Sequence, residues 1–302
     1  MKKTTLLICV GFLLTFCSTQ NDNTRSEIEN WRLGWRLIQS SWDDELALAE
    51  QQFDSLLTLD ETPEYKFIVT GLDILHKLGK EEKLMAILNK QNQEVRSQLC
   101  QSDLISGNST YNDFCKGLKN SRIQYPDLQK EIIKMYVKDQ AVRGNIMNDI
   151  IEEYNLHPYD ISSSDGVTVD SKNRERLKQI FEEYGFPTRE MVGKDAMHGI
   201  FLIIQHSDGD KEWQKDQLSN IEKAVKAGDM DGQSYAYLYD RIKINNGEKQ
   251  LYGTQFSNVD PANKTVTLAE TEDIDNLDFR RMEVGMMPIE MYKKLMLENI
   301  SN

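Results

Sequence analysis

Proline and glycine are sparse in this 302-residue chain, at 6 and 17 residues, which excludes collagen-like repeats and wholesale low-complexity disorder. Positive charge is also short: 36 Lys+Arg face 49 Asp+Glu, a formal net charge of −13. That balance removes nucleic acid and an anionic bilayer as bulk electrostatic partners. The chain has no Gly-x-x-x-x-Gly-Lys phosphate loop, no Gly-x-Ser-x-Gly elbow and no His-Glu-x-x-His helix. No Cys or His grouping has zinc-ligand spacing, and neither a metal nor a cofactor is expected. What is present is 39% hydrophobic and 28% charged residues, enough at this length for one large domain or two ordinary ones.

The first sixteen residues have the form of an export signal. Lys2 and Lys3 precede an apolar stretch at 6–16, too short for a bilayer span of about 20 residues. Cys17 follows at once, and then a polar run begins. Leu14-Thr15-Phe16-Cys17 resembles the lipobox of a bacterial lipoprotein, with Phe16 where the pattern has a small residue. The resemblance implies cleavage before Cys17, lipidation of that residue, and anchoring in the bacterial cell envelope, at the outer membrane or its periplasmic face. A plain secretory signal with an incidental Cys is the alternative. Removal of 1–16 takes away two lysines and no acids, so the mature charge is −15. Two acyl chains, not charge, would hold such a chain to a membrane.

Four cysteines are present. Cys9 would leave with the signal and Cys17 would carry lipid, so Cys100 and Cys115 remain. An oxidising envelope favours pairing them across a polar, turn-rich loop; two buried thiols are the alternative.

Residues 17–26 read as a tether. From about 27 to 98 the apolar spacing is helical: Trp31, Trp35 and Ile38, then Leu46, Ala49, Phe53 and Leu56, then Phe67, Ile68, Leu72 and Leu75. Pro63 marks a helix start and Gly79 a helix end. Such antiparallel helices loosely resemble a tetratricopeptide array without its small-residue signature. His76 falls beside Leu72 and Leu75, as a hydrogen-bonded core histidine would. The disulfide loop closes this region near Pro126. A second helical run is expected from 127 to about 154, then helices from an N-cap at Asp170 to Tyr184, at 194–206, 211–227 and 233–244, and at 288–297. Period-2 alternation at 250–256 and 265–269 predicts one late β-hairpin. The fold class is therefore mainly α, with N-terminal helical hairpins (27–126) and an α-rich C-terminal domain (127–302).

Ordered fragments between about Met135 and Met296 carry a resemblance. They are Asp139-Gln140-x-x-Arg143, Asp170-x-x-Asn173, Gly185-Phe186-Pro187, Gln205-His206, Asp240-Arg241, Gln250-Leu-Tyr252-Gly253-Thr254-Gln255, Arg280-Arg281 and Gly285-x-x-Pro288-x-x-x-Tyr292. Together they resemble a bacterial family of uncharacterised domains found in secreted and lipoprotein contexts. Phe186 stands where that family often has Trp. The resemblance implies a fold neighbourhood and no mechanism.

The chemistry must be read from the residues. Gln205 and His206 end an apolar helix, where carbonyl partial charges favour an imidazolium. Ser207-Asp208-Gly209-Asp210 supplies carboxylates nearby, so His206 is placed for acid–base work or for capping the helix. Tyr252 and Gln255, on the expected strand, suit a polar ligand, and Gly253 marks a close approach. Asp139, Arg143, Asp240 and Arg241 read as ion pairs of the same network; Arg281 would receive an anion or neutralise carboxylates. Asp229-Met-Asp231-Gly232 and Asp273-Ile-Asp275 hint at calcium without completing its loop pattern. Two readings follow. In one, the domain binds a polar small molecule or protein partner. In the other, it is an envelope hydrolase with His206 as acid/base, Asp240 orienting it, and Arg241 or Gln255 holding substrate.

Overall fold

The computed structural model describes residues 10–60, 63–100, 105, 111–116, 123–157 and 165–301, with side chains except at 10–24, 94, 112 and 299–301. Residues 1–9 of the expected signal peptide and the lipid-bearing side chain of Cys17 lie outside these, while 10–16 fall in the first helix. Among the described residues, no helix is long and apolar enough to cross a membrane. The chain divides into two compact units, Met1–Asn120 and Ser121–Asn302.

The first unit is a stack of helices: α1 (Val10–Trp42), α2 (Leu46–Leu59), α3 (Tyr65–Lys77), α4 (Glu81–Leu88), α5 (Gln93–Leu99) and the short α6 (Asn112–Cys115). Helix α1 runs through the stretch expected as a tether. The helical periodicity does what it should, burying Trp31, Trp35, Phe53, Leu56, Phe67, Leu72 and Leu75 in one core. Two glycines permit the close packing. A Cβ at Gly34 would lie 2.5 Å from the Phe67 ring, and one at Gly71 would lie 2.4 Å from the Phe53 ring. Cys100 and Cys115 form the expected disulfide, with Cα atoms 5.8 Å apart. Arg96 donates to the Phe114 carbonyl at 2.8 Å and lies over the Phe114 ring, fixing the end of the stapled loop. His76 is not a core residue: its side chain is 44% exposed and pairs with Glu81. One residue of helical phase carries it off the buried stripe that holds Leu72 and Leu75.

The second unit begins where the backbone N–H groups of Gln124 and Tyr125 bond to Glu190 and Met191. Its helices are α7 (Pro126–Ala141), α8 (Asn148–Glu153), α9 (Gly166–Tyr184), α10 (Arg189–Val192), α11 (Lys194–Gln205), α12 (Lys211–Asp216), α13 (Leu218–Lys226) and α14 (Gly232–Asn245). The β-hairpin β1 (Phe256–Asp260) and β2 (Thr265–Leu268) follows, then α15 (Leu277–Glu283) and α16 (Ile289–Ser301). Helix α11 lies at the centre against α7, with Ala196, Met197, Ile200, Phe201, Ile203 and Ile204 all buried. Gly199 lets it approach, since a Cβ there would meet that of Tyr136 at 2.8 Å.

Four sequence expectations are corrected. The run 127–154 is two helices, because Gly144 at φ +83 closes α7 with the Asn145 N–H bonded to the Gln140 carbonyl. The N-cap of α9 is Asp165, whose carboxylate accepts from Thr168 N–H, whereas Asp170 lies within the helix. The run 211–227 is interrupted at the buried Gln217, whose amide donates to the Trp213 carbonyl. The strand expected over 250–256 exists only from Phe256; residues 251–255 form a loop. Asp240 and Arg281, distant in sequence, are the cause of that loop.

Candidate functional site

Helix α7 carries Asp139 into the protein interior, and the C-terminal end of α11 brings His206 to it across 67 positions of sequence. His206 Nδ1 lies 2.9 Å from both oxygens of the Asp139 carboxylate. An ionised carboxylate only accepts, so Nδ1 carries a proton and donates, and in the neutral ring the lone pair belongs to Nε2. Asp139 is wholly buried, and the His206 side chain keeps 14% exposure. The carboxylate is satisfied on its other sides: Gln140 Nε2 donates at 2.9 Å, and Arg143 Nη1 stands 3.2 Å away. Arg143 in turn donates to both oxygens of Asp170 on α9, at 2.8 and 2.9 Å. Asn173, one helical turn on, donates to the Met135 carbonyl and locks α9 to α7. Asp139 thus holds its histidine in one tautomer from a braced position.

The carboxylates just after His206 do not serve it. Asp208 takes a two-pronged bond from Arg241 and further bonds from Gln214 and Asn245. Burial opposes its charge, but Arg241 beside it holds the carboxyl below the usual range. Arg241 therefore pins the turn after α11 to α14 and is not left open to grip a substrate. Gln205 lends its backbone carbonyl to Gln214.

Asp240 does not orient His206. It is fully buried, and its carboxylate accepts the backbone N–H groups of Leu251 (2.8 Å), Tyr252 (3.1 Å) and Thr254 (3.0 Å). Burial raises its pKa, and the three N–H donors pull the other way. Arg280 and Arg281, expected to receive an anion or to neutralise carboxylates, grip the carbonyls of the same loop, and Arg280 also stands 3.6 Å from the Asp273 carboxylate. Arg280 donates to Leu251, and Arg281, wholly buried, donates to Tyr252 and Met287 while lying over the Tyr292 ring. Desolvation lowers the Arg281 pKa, and its Nη2 has no partner among the described residues. Gln250 completes the clamp, its amide bonding the N–H and carbonyl of Gln255 and the carbonyl of Ala269. An anion on one side and a cation on the other wind the peptide dipoles into a loop, with Gly253 at φ +67 making the reversal. The loop presents Tyr252, half-buried against Tyr235 and Tyr239 with its phenol pushed up to about 12 by burial, and Gln255, whose amide bonds Thr254.

Most of the fragments quoted from the sequence thus fall in two clusters, one at Asp139–His206 and one around the 250–255 loop, while Gly185-Phe186-Pro187 ends α9 with Phe186 against Phe181. A family model described as a family of unknown function, DUF6624, matches residues 126–301. The chain belongs to that family. No curated protein and no solved structure matches it. The DUF6624 region contains both clusters and every candidate ligand or catalytic residue named above. Sequence reasoning missed the Asp139–His206 pairing itself, since nothing local links the two fragments. It also missed a cavity at the other end of α11, although Asp195-x-x-His198 places an acid and a histidine on one helix face.

Proposed function

We propose that this is a lipid-anchored cell-envelope protein whose DUF6624 domain handles a polar substrate by acid–base chemistry at His206, with hydrolysis by a His-activated water as the reaction class. One observation supports the reading above the others: a buried, fully bonded carboxylate fixes the imidazole with Nδ1 protonated, which leaves Nε2 as the basic atom of a partly exposed ring. No hydroxyl or thiol is bonded to His206 among the described residues, so water is the nucleophile this geometry favours. The experiment is a panel of chromogenic acyl, phosphoryl and glycosyl substrates assayed with the mature protein, His206→Gln and Asp139→Asn. Turnover should fall about 10²–10⁴-fold in His206→Gln, the usual share of a general base. Turnover that survives His206→Gln unchanged would remove the assignment.

Binding without chemistry is the second reading. It is favoured by the occupation of Arg241 and Arg281 in structural bonds, which leaves little to stabilise a developing charge. A polar small molecule or protein partner that binds equally well to wild type and His206→Gln, with no turnover of any substrate, would establish it. For the anchor, Cys17→Ala should move the protein from the membrane fraction to the soluble one and abolish acyl labelling.

A further inference from the structure

Helix α10, the start of α11 and the turn into α14 border an open cavity of about 270 Å³, lined among others by Lys194, Asp195, His198, Asp229 and Ser234, with Arg189 and Asp231 at its exposed rim. At 1.5 Å rise per residue, His198 lies roughly 12 Å along α11 from His206, so this is a separate place from the acid–base pair. Its volume falls just under the usual 300–1,000 Å³ of small-molecule pockets, the size for a small metabolite.

The lining groups are incompletely used. Ser234 is 7% exposed, lines the cavity, and its hydroxyl has no partner among the described residues. That hydroxyl opens onto the cavity and is free to bond an occupant. The His198 ring packs edge-on against Tyr136, and no hydrogen bond engages it among the described residues. Asp195 spends one oxygen on the Tyr154 hydroxyl, at 2.9 Å, and keeps the other. Arg189 and Lys194 form no ion pair among the described residues, and the Asp231 carboxylate makes no cap bond to its own helix. Asp229, also in the lining, accepts the Arg189 backbone N–H at 2.9 Å, and the Arg189 and Lys194 side chains share the cavity with these carboxylates without an ion pair to any of them among the described residues. Groups of opposite sign held apart across a small space are bridged by a molecule bearing both charges.

We propose that this cavity binds a small zwitterion of the α-amino-acid class, its carboxylate toward Arg189 and Lys194, its ammonium toward Asp195 and Asp231, and its polar body against Ser234. The site does not depend on the chemistry assigned to His206. At His198, desolvation and the charge of Lys194 lower the pKa against the pull of Asp231 and Asp195.

The test is saturation-transfer NMR and calorimetry on the full mature chain, with the twenty free L-amino acids in pools and then singly. Each hit is repeated as its N-acetyl derivative and its methyl ester, which remove one charge apiece. At least one free amino acid should bind, and either blocked derivative should bind at least about tenfold more weakly. Arg189→Gln and Asp231→Asn, both exposed positions chosen to leave the fold intact, should each weaken binding by a similar factor, while His206→Gln should not. No amino acid bound at about 10 mM, or a blocked derivative bound as tightly as the zwitterion, overturns the proposal.

Discussion

Asp240→Asn is the substitution that most sharply separates a clamped loop from an ordinary turn. The carboxylate receives Leu251 N–H on one oxygen, Thr254 N–H on the other, and Tyr252 N–H between them. An asparagine keeps one oxygen, which can serve Leu251 and Tyr252. Its NH₂ then faces the Thr254 N–H, so two buried donors oppose each other without an acceptor. An unsatisfied buried donor costs about 1–3 kcal/mol, and the surviving bonds lose their charge assistance. Removing a buried charge returns part of this, because burial had already raised the Asp240 pKa. The net destabilisation of the loop should be about 2–3 kcal/mol. Tenfold per 1.4 kcal/mol makes that roughly 30- to 150-fold in local opening. Amide hydrogen exchange reads this directly: the Leu251, Tyr252 and Thr254 amides should exchange faster by that factor, while amides in α11 are unchanged. Unaltered protection at those three amides would show that Asp240 does not hold the loop, and the account of the second cluster would fall with it.

Three further outcomes follow from the same contacts. The stability difference between wild type and Asp240→Asn should depend on pH: a carboxyl whose native pKa is raised stabilises below its unfolded pKa, near 4, and loses that contribution as pH rises through the native value. Denaturation from pH 4 upward should therefore show wild type losing ground relative to the variant, and a constant difference would contradict the shift. Gly253→Ala places a Cβ 3.1 Å from Leu277 at a positive φ, and should cost about 1–2 kcal/mol in thermal or urea denaturation. Reduction of Cys100–Cys115, which closes a 15-residue separation, should destabilise the first unit by about 3 kcal/mol and leave exchange in α11 untouched.

Elements whose cause is local were legible in the sequence. The uninterrupted apolar run before Gln205 announces a buried helix, and α11 is one. Gly185 stops α9 at φ +74 as a glycine after a helix should, and Cys100 and Cys115 are bonded across their turn-rich loop. Where the cause is distant, local pattern misleads. Residues 250–255 alternate like a strand, yet their backbone groups are claimed by Asp240, 11 to 14 positions earlier, and by Arg281, 28 to 29 positions later. Asp165 and Asp170 both precede apolar turns, and only the hydrogen bond to Thr168 distinguishes the cap from the residue that pairs with Arg143. The carboxylates beside His206 looked like its partners because they are adjacent, while Asp139, the true partner, comes from another helix.

The central claim is that Asp139 fixes His206 with the proton on Nδ1 and the lone pair on Nε2. Long-range ¹H–¹⁵N correlation on protein labelled at its four histidines, assigned with His206→Gln, measures this at alkaline pH. The account predicts a single Nδ1–H tautomer for His206 in wild type and a mixed or altered pattern in Asp139→Asn. An Nε2–H tautomer in the wild-type protein would contradict it.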